Sequence, residues 1–108
     1  MLEEGIEKTE SAVKAAGNIS ADQKAELLGL LVKLKSALAK VEHREDAESI
    51  ARFASASVHE ATRQKKKPGT LEAAVHGLKK SVEEFEASHP ELVSLVNDFS
   101  TFLANMGL

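Results

Sequence analysis

Along this chain apolar residues return every three or four positions and almost nowhere alternate, which is the period of helices and not of strands. The pattern is cleanest in residues 21–41, where Leu27, Leu31, Leu34, Leu38 and Val41 step by four and three, with Leu28, Leu30 and Val32 beside them. Residues 2–16 carry a narrower stripe of Leu2, Ile6, Val13 and Ala16 with Thr9 between. Residues 47–66 repeat it with Ala47, Ile50, Ala54, Val58 and Ala61, and residues 71–87 with Leu71, Val75, Leu78, Val82 and Phe85. The last stretch has the widest stripe, Leu92, Leu95, Val96, Phe99, Phe102, Leu103 and Met106, and between them polar or small residues such as Ser94, Asn97, Ser100, Thr101 and Ala104. A helix so poor in charge suits a central position, surrounded by other helices, or one that meets a partner. Leu31, Leu34, Leu38, Val75, Leu78, Val82, Phe85, Leu95, Phe99 and Phe102 are the expected core.

Local chemistry places the breaks between these stripes. Gly17 and Asn18 both tolerate the left-handed conformation that ends a helix, and Ser20 with Gln23 has the spacing of a capping box. So short a turn makes residues 2–41 an antiparallel helical hairpin. The charged run 42–48 holds no Gly or Pro, but the apolar face on its far side is out of phase with the preceding seam, so either Asp46 caps a new helix or one long helix changes its buried side; a break or bend near 42–46 is the favoured reading. Arg63, Lys65, Lys66 and Lys67 complement a helix C-terminus, Pro68-Gly69 stops that helix, and Thr70 is placed to cap the next. Ser88 with Glu91 has the spacing of a second capping box around Pro90, with His89 or Ser88 as the N-cap, and Gly107 is the final stop. Loss of the Ser88 cap is expected to cost about 1 kcal/mol. Gly29, inside the second helix, marks a close helix contact. The fold class is therefore all-α, an antiparallel bundle of four to five helices in a single domain over residues 1–108, with a hairpin at 2–41, a third helix at 47–66 and a C-terminal pair at 71–106.

Composition removes several functional classes. The chain has no cysteine, so thiolate metal sites and cysteine nucleophiles are excluded. It has no Trp or Tyr and a formal net charge of −3, which leaves little to stack on bases or to neutralise phosphates, so no nucleic-acid partner is expected. The N-terminus carries acids in place of an apolar signal region, and no apolar run approaches the length of a membrane span; a cytoplasmic location is expected.

No catalytic constellation stands out. His59-Glu60 opens a segment similar to the His-Glu-x-x-His motif of zinc proteases, but Arg63 occupies the second ligand position. His43, His59, His76 and His89 form no pair at helical ligand spacing, and Glu83, Glu84 and Glu86 fall on a solvated face. No metal, cofactor or catalytic residue is expected. A functional reading would make His89 a ligand or a proton carrier, yet the run Ser88, His89, Pro90 and Glu91 reads first as a hinge: one helix ends at Ala87, Pro90 forbids its continuation, and a new helix starts.

Two resemblances add to this. The run His76-Gly77-Leu78-Lys79-Lys80-Ser81 resembles the phosphoacceptor helix of histidine-phosphotransfer domains, which are small helical bundles; it implies His76 as phosphoacceptor, although Lys80 stands where that family has a glycine. Residues 71–108, above all Phe85-Glu86-Ala87-Ser88-His89-Pro90 and the closing Asn105-Met106-Gly107, resemble a family of short bacterial proteins defined only as a domain of unknown function. Residues 20–41 resemble it more loosely, and 42–66 read as an insertion relative to shorter members. That likeness implies a bacterial helical protein without an assigned activity. The expected function is a non-enzymatic interaction or scaffold module with a protein partner or a second copy of itself; phosphotransfer through His76 is the alternative.

Overall fold

In a computed structural model, which describes residues 2–106, the chain is all-α, with the order α1 (Leu2–Ala15), α2 (Ala21–Leu38), α3 (Arg44–Ala61), α4 (Pro68–Val82), a 3-10 turn (Glu83–Phe85) and α5 (Pro90–Met106). The expected stop at Gly107 and the side chain of Leu2 lie outside the described residues.

The α2 seam is buried as its spacing requires: Leu27, Leu31, Leu34 and Leu38 all lie inside, as do Ile6, Thr9 and Val13 of α1. The helix α5 packs on α2, α3 and α4, and α3 packs on α1, α4 and α5. However, α5 is not surrounded as its low charge suggests, because its outer face, with Ser94, Asn97, Thr101, Ala104 and Asn105, is exposed. Leu92, Val96, Phe99, Leu103 and Met106 are buried, while Leu95 and Phe102, expected in the core, are half-buried at its edge.

Consecutive helices alternate in direction, so α1, α3 and α5 end together, and that end is stitched by two side chains. The Asn18 amide donates to the carbonyls of Thr62 and Arg63 at 2.9 and 3.1 Å, joining the exits of α1 and α3. Lys66 Nζ donates to the Ala61 carbonyl at 2.8 Å and the Met106 carbonyl at 2.9 Å, joining the exits of α3 and α5. Each bond satisfies a helix-end carbonyl that has no partner within its own helix, and the ammonium also complements two helix dipoles.

Several boundaries differ from the sequence expectation for local reasons. The break near 42–46 is present, but α3 begins at Arg44, with His43 in the N-cap position and Asp46 within the first turn. The third helix ends at Ala61 and not near 66, so the basic run lies in the following loop, where Thr62 Oγ1 donates to the Val58 carbonyl at 2.8 Å. Pro68 takes the first position of α4, where its missing N–H costs nothing, so Thr70 is in the first turn and not the cap. Its hydroxyl donates to Glu60 Oε1 at 2.6 Å and so ties α4 to α3. No described residue has a positive φ, so Gly17 and Asn18 do not use the left-handed conformation; Asn18 works through its side chain. The fourth helix tightens after Val82 into the 3-10 turn and does not run as an α-helix to Ala87.

Candidate functional site

The basic loop is the densest run of cations in the sequence, and two of its four, Arg63 and Lys66, are occupied. Arg63 Nη1 holds both oxygens of Glu60, at 3.0 and 3.2 Å, and Lys66 is spent on helix ends. The Thr70 hydroxyl, and then Arg63, hold the Glu60 carboxyl below the usual carboxylate range against an opposing desolvation. The segment that begins HEATR is thus a clamp between α3 and α4. Among the described residues no group of three His, Asp or Glu side chains could hold a metal ion.

The Ser88-His89-Pro90-Glu91 motif sits where the chain turns from the 3-10 turn into α5. His89 N–H donates to the Phe85 carbonyl at 2.7 Å, its ring stacks tilted on that of Phe85 with centroids 6.0 Å apart, and its own carbonyl accepts from Leu92 and Val93. His89 therefore caps α5 through its backbone, and Pro90 takes the first helical position. The expected capping box is not formed: Ser88 and Glu91 are exposed, and the Ser88 hydroxyl has no hydrogen-bond partner among the described residues. The box forms at α2, where Ser20 Oγ accepts from Gln23 N–H and Gln23 Oε1 accepts from Ser20 N–H, each at 3.1 Å. Replacing Ser20 by alanine is expected to lower stability by about 1 kcal/mol, whereas Ser88→Ala leaves the midpoint of thermal unfolding within experimental error of the parent. Melts of the two variants side by side check this, and a larger loss for Ser88→Ala would overturn it.

His76 projects from the exposed side of α4 and lines an open groove of about 240 Å³ with Pro68, Leu71, Glu72, Val75, Lys79 and Ala104. Lys80, one turn on, is exposed and pairs with Glu83 at 3.6 Å. Gly77 has a packing reason of its own: a Cβ there would stand 2.5 Å from the ring of Phe53 on α3. Phe53 thus lies on the α4 backbone although it is 39% exposed.

Val32, on α2, is the other large apolar side chain left exposed among the described residues, at 49%. It lies on the side of α2 opposite the buried seam, together with Ala25, Gly29 and Ser36, all exposed and uncharged, and with half-buried Leu28 at the edge. A Cβ at Gly29 would meet nothing within 4 Å, so the close contact expected at this glycine is not made within the chain. Sequence reasoning found Gly29 but did not assemble this face, because a Val, two small residues and a Ser do not register as a stripe beside the leucine seam of the same helix.

A family model described as Domain of unknown function (DUF4404) matches residues 2–108. The chain belongs to the DUF4404 family. No curated protein matches it, and no solved structure does. The DUF4404 match includes residues 42–66, so α3 lies within the range of the family domain, as do the α5 hinge and the outward face of α2. Among the described residues no helix is long and apolar enough to cross a membrane.

Proposed function

We propose that this protein is a non-enzymatic interaction module of the bacterial cytoplasm that binds a protein partner through the outward face of α2. The observation that carries the reading is the pairing of exposed Val32 with Gly29, one turn before it. A glycine inside an exposed helix lowers helix stability by up to about 1 kcal/mol relative to alanine, and within this chain nothing packs close enough to need it. A helix or loop seated on the face would use the notch, and would cover Val32. The contrast with Phe53 and Gly77 is informative, since there the same combination is already satisfied internally.

Site-specific photo-cross-linking in cells tests this. A photoreactive residue in place of Val32 is expected to yield protein adducts, and the same group in place of Asp98, exposed on α5, none. Adducts at position 98 without any at 32 would overturn the assignment.

A further inference from the structure

The face of α2 is self-complementary, and we infer that its partner is a second copy of this chain, docked antiparallel about a two-fold axis that crosses α2 between Leu30 and Leu31. This inference rests on the reading of α2 as the interaction face. Beside the uncharged face, on its flank away from α1, stand Asp22 and Glu26 towards the start of the helix, Lys33 towards its end, and Lys40 just past its exit. All four are exposed, and their side chains make no ion pair or hydrogen bond among the described residues. The opposite flank is committed within the chain: Lys35 pairs with Glu7 and Glu10 of α1, and Lys24 donates to the Lys14 carbonyl at 3.1 Å.

The direction of pairing follows from this charge order. In a parallel two-fold pair each charged flank would face the partner's opposite flank, whose Lys24 and Lys35 are already bonded within their own chain, so these acids and lysines would not meet. In an antiparallel pair the acidic half of each helix faces the basic half of the other, which brings Glu26 near the partner's Lys33 and Asp22 near the partner's Lys40, each twice. The same register puts Val32 opposite the partner's Gly29, so that the exposed branched side chain enters the notch left by the missing Cβ, and Ala25 opposite the partner's Ser36. Isologous contacts of this kind close on themselves and form dimers, not filaments.

The area sets the strength. An 18-residue helix is about 27 Å long and presents roughly 350 Å² to a helix laid on it, about 700 Å² for the pair, below the roughly 1,200 Å² of a stable interface. The dimer is therefore one that exchanges with monomer as concentration changes.

Sedimentation velocity of the purified chain over a wide concentration range is expected to show a monomer–dimer equilibrium. Val32→Glu shifts it at least tenfold towards monomer without changing the helical circular dichroism. Glu26→Lys and Lys33→Glu each weaken the dimer, and the double exchange restores it. Orientation is read by cysteine cross-linking, which the absence of native cysteine makes clean. The double variant Ala25→Cys, Ser36→Cys forms a covalent dimer on oxidation. Neither single variant does, because each cysteine would lie about 16 Å along the helix from its own copy. Cross-linking of the single variants would show parallel pairing and overturn the register. A monomer at all concentrations, together with adducts of another protein at position 32 in cells, overturns the second copy and leaves the α2 face standing; a monomer with no adducts at 32 removes both.

Discussion

Replacing Phe99 by alanine is expected to cost about 3–5 kcal/mol, the usual loss when a fully buried aromatic side chain is cut back in a core. Phe99 has no solvent exposure and lies on α5, the helix that packs on α2, α3 and α4 together. The cavity is therefore left inside the core, out of reach of solvent. A domain of this size is stable by only about 5–15 kcal/mol, so the variant should be partly unfolded near physiological temperature. Phe102, on the same helix and chemically identical, is only half-buried at the core edge. Phe102→Ala should lose less than half as much, because solvent refills part of the space. Urea unfolding of the two variants, followed by circular dichroism, checks both values, and equal losses would show that the difference in burial between Phe99 and Phe102 does not set their contributions.

The contrast between these two phenylalanines also shows how far the fold is legible in the sequence. Spacing by three and four identifies the buried seam of α2 and assigns both residues to the apolar side of α5, but a stripe this wide does not say where its edges fall; that depends on which neighbours α5 meets. Ser100 makes the same point from the polar side. Its identity suggests an outward position, yet it is fully buried and its hydroxyl has no hydrogen-bond partner among the described residues, since it lies on the side of α5 that carries buried Val96 and Leu103.

Caps and turns divide in the same way. The Ser20–Gln23 box is purely local, and forms. Asn18, Lys66 and Thr70 stand near helix ends, where sequence finds them, but each bonds to another helix, and no local pattern names a partner 10 residues away, as for Thr70, or 40 to 45, as for Lys66 and Asn18. At Ser88 the spacing of a capping box is present and the box is not, because the preceding 3-10 turn delivers the chain with the His89 backbone already bonded to the Phe85 carbonyl. The outward face of α2 is not legible: Gly29 is expected to mark a close helix contact, and nothing in the chain lies within 4 Å of a Cβ placed there.

Enlarging Ala54 to leucine tests the packing that small residues permit. In α3, Ala47, Ala51, Ala54, Ser57 and Ala61 are all buried, and α3 packs on α1, α4 and α5. Ser57 is accommodated because its hydroxyl donates to the Phe53 carbonyl at 2.8 Å, one turn back in its own helix, which leaves its surface as small as that of alanine. With residues of this size the neighbouring backbones come close, and added methylenes at Ala54, only 1% exposed, have no volume to occupy. Ala54→Leu is expected to destabilise by about 1–3 kcal/mol through displaced helices and off-rotamer side chains, even though leucine is a good helix former and more apolar. Ala56, two residues on and exposed, is the matched control: there the same change should lie within about 0.5 kcal/mol of the parent. Chemical unfolding of the pair separates packing from propensity. If Ala54→Leu is as stable as the parent, α3 is not closely packed on that side, and burial of its small-residue face does not reflect close helix contact.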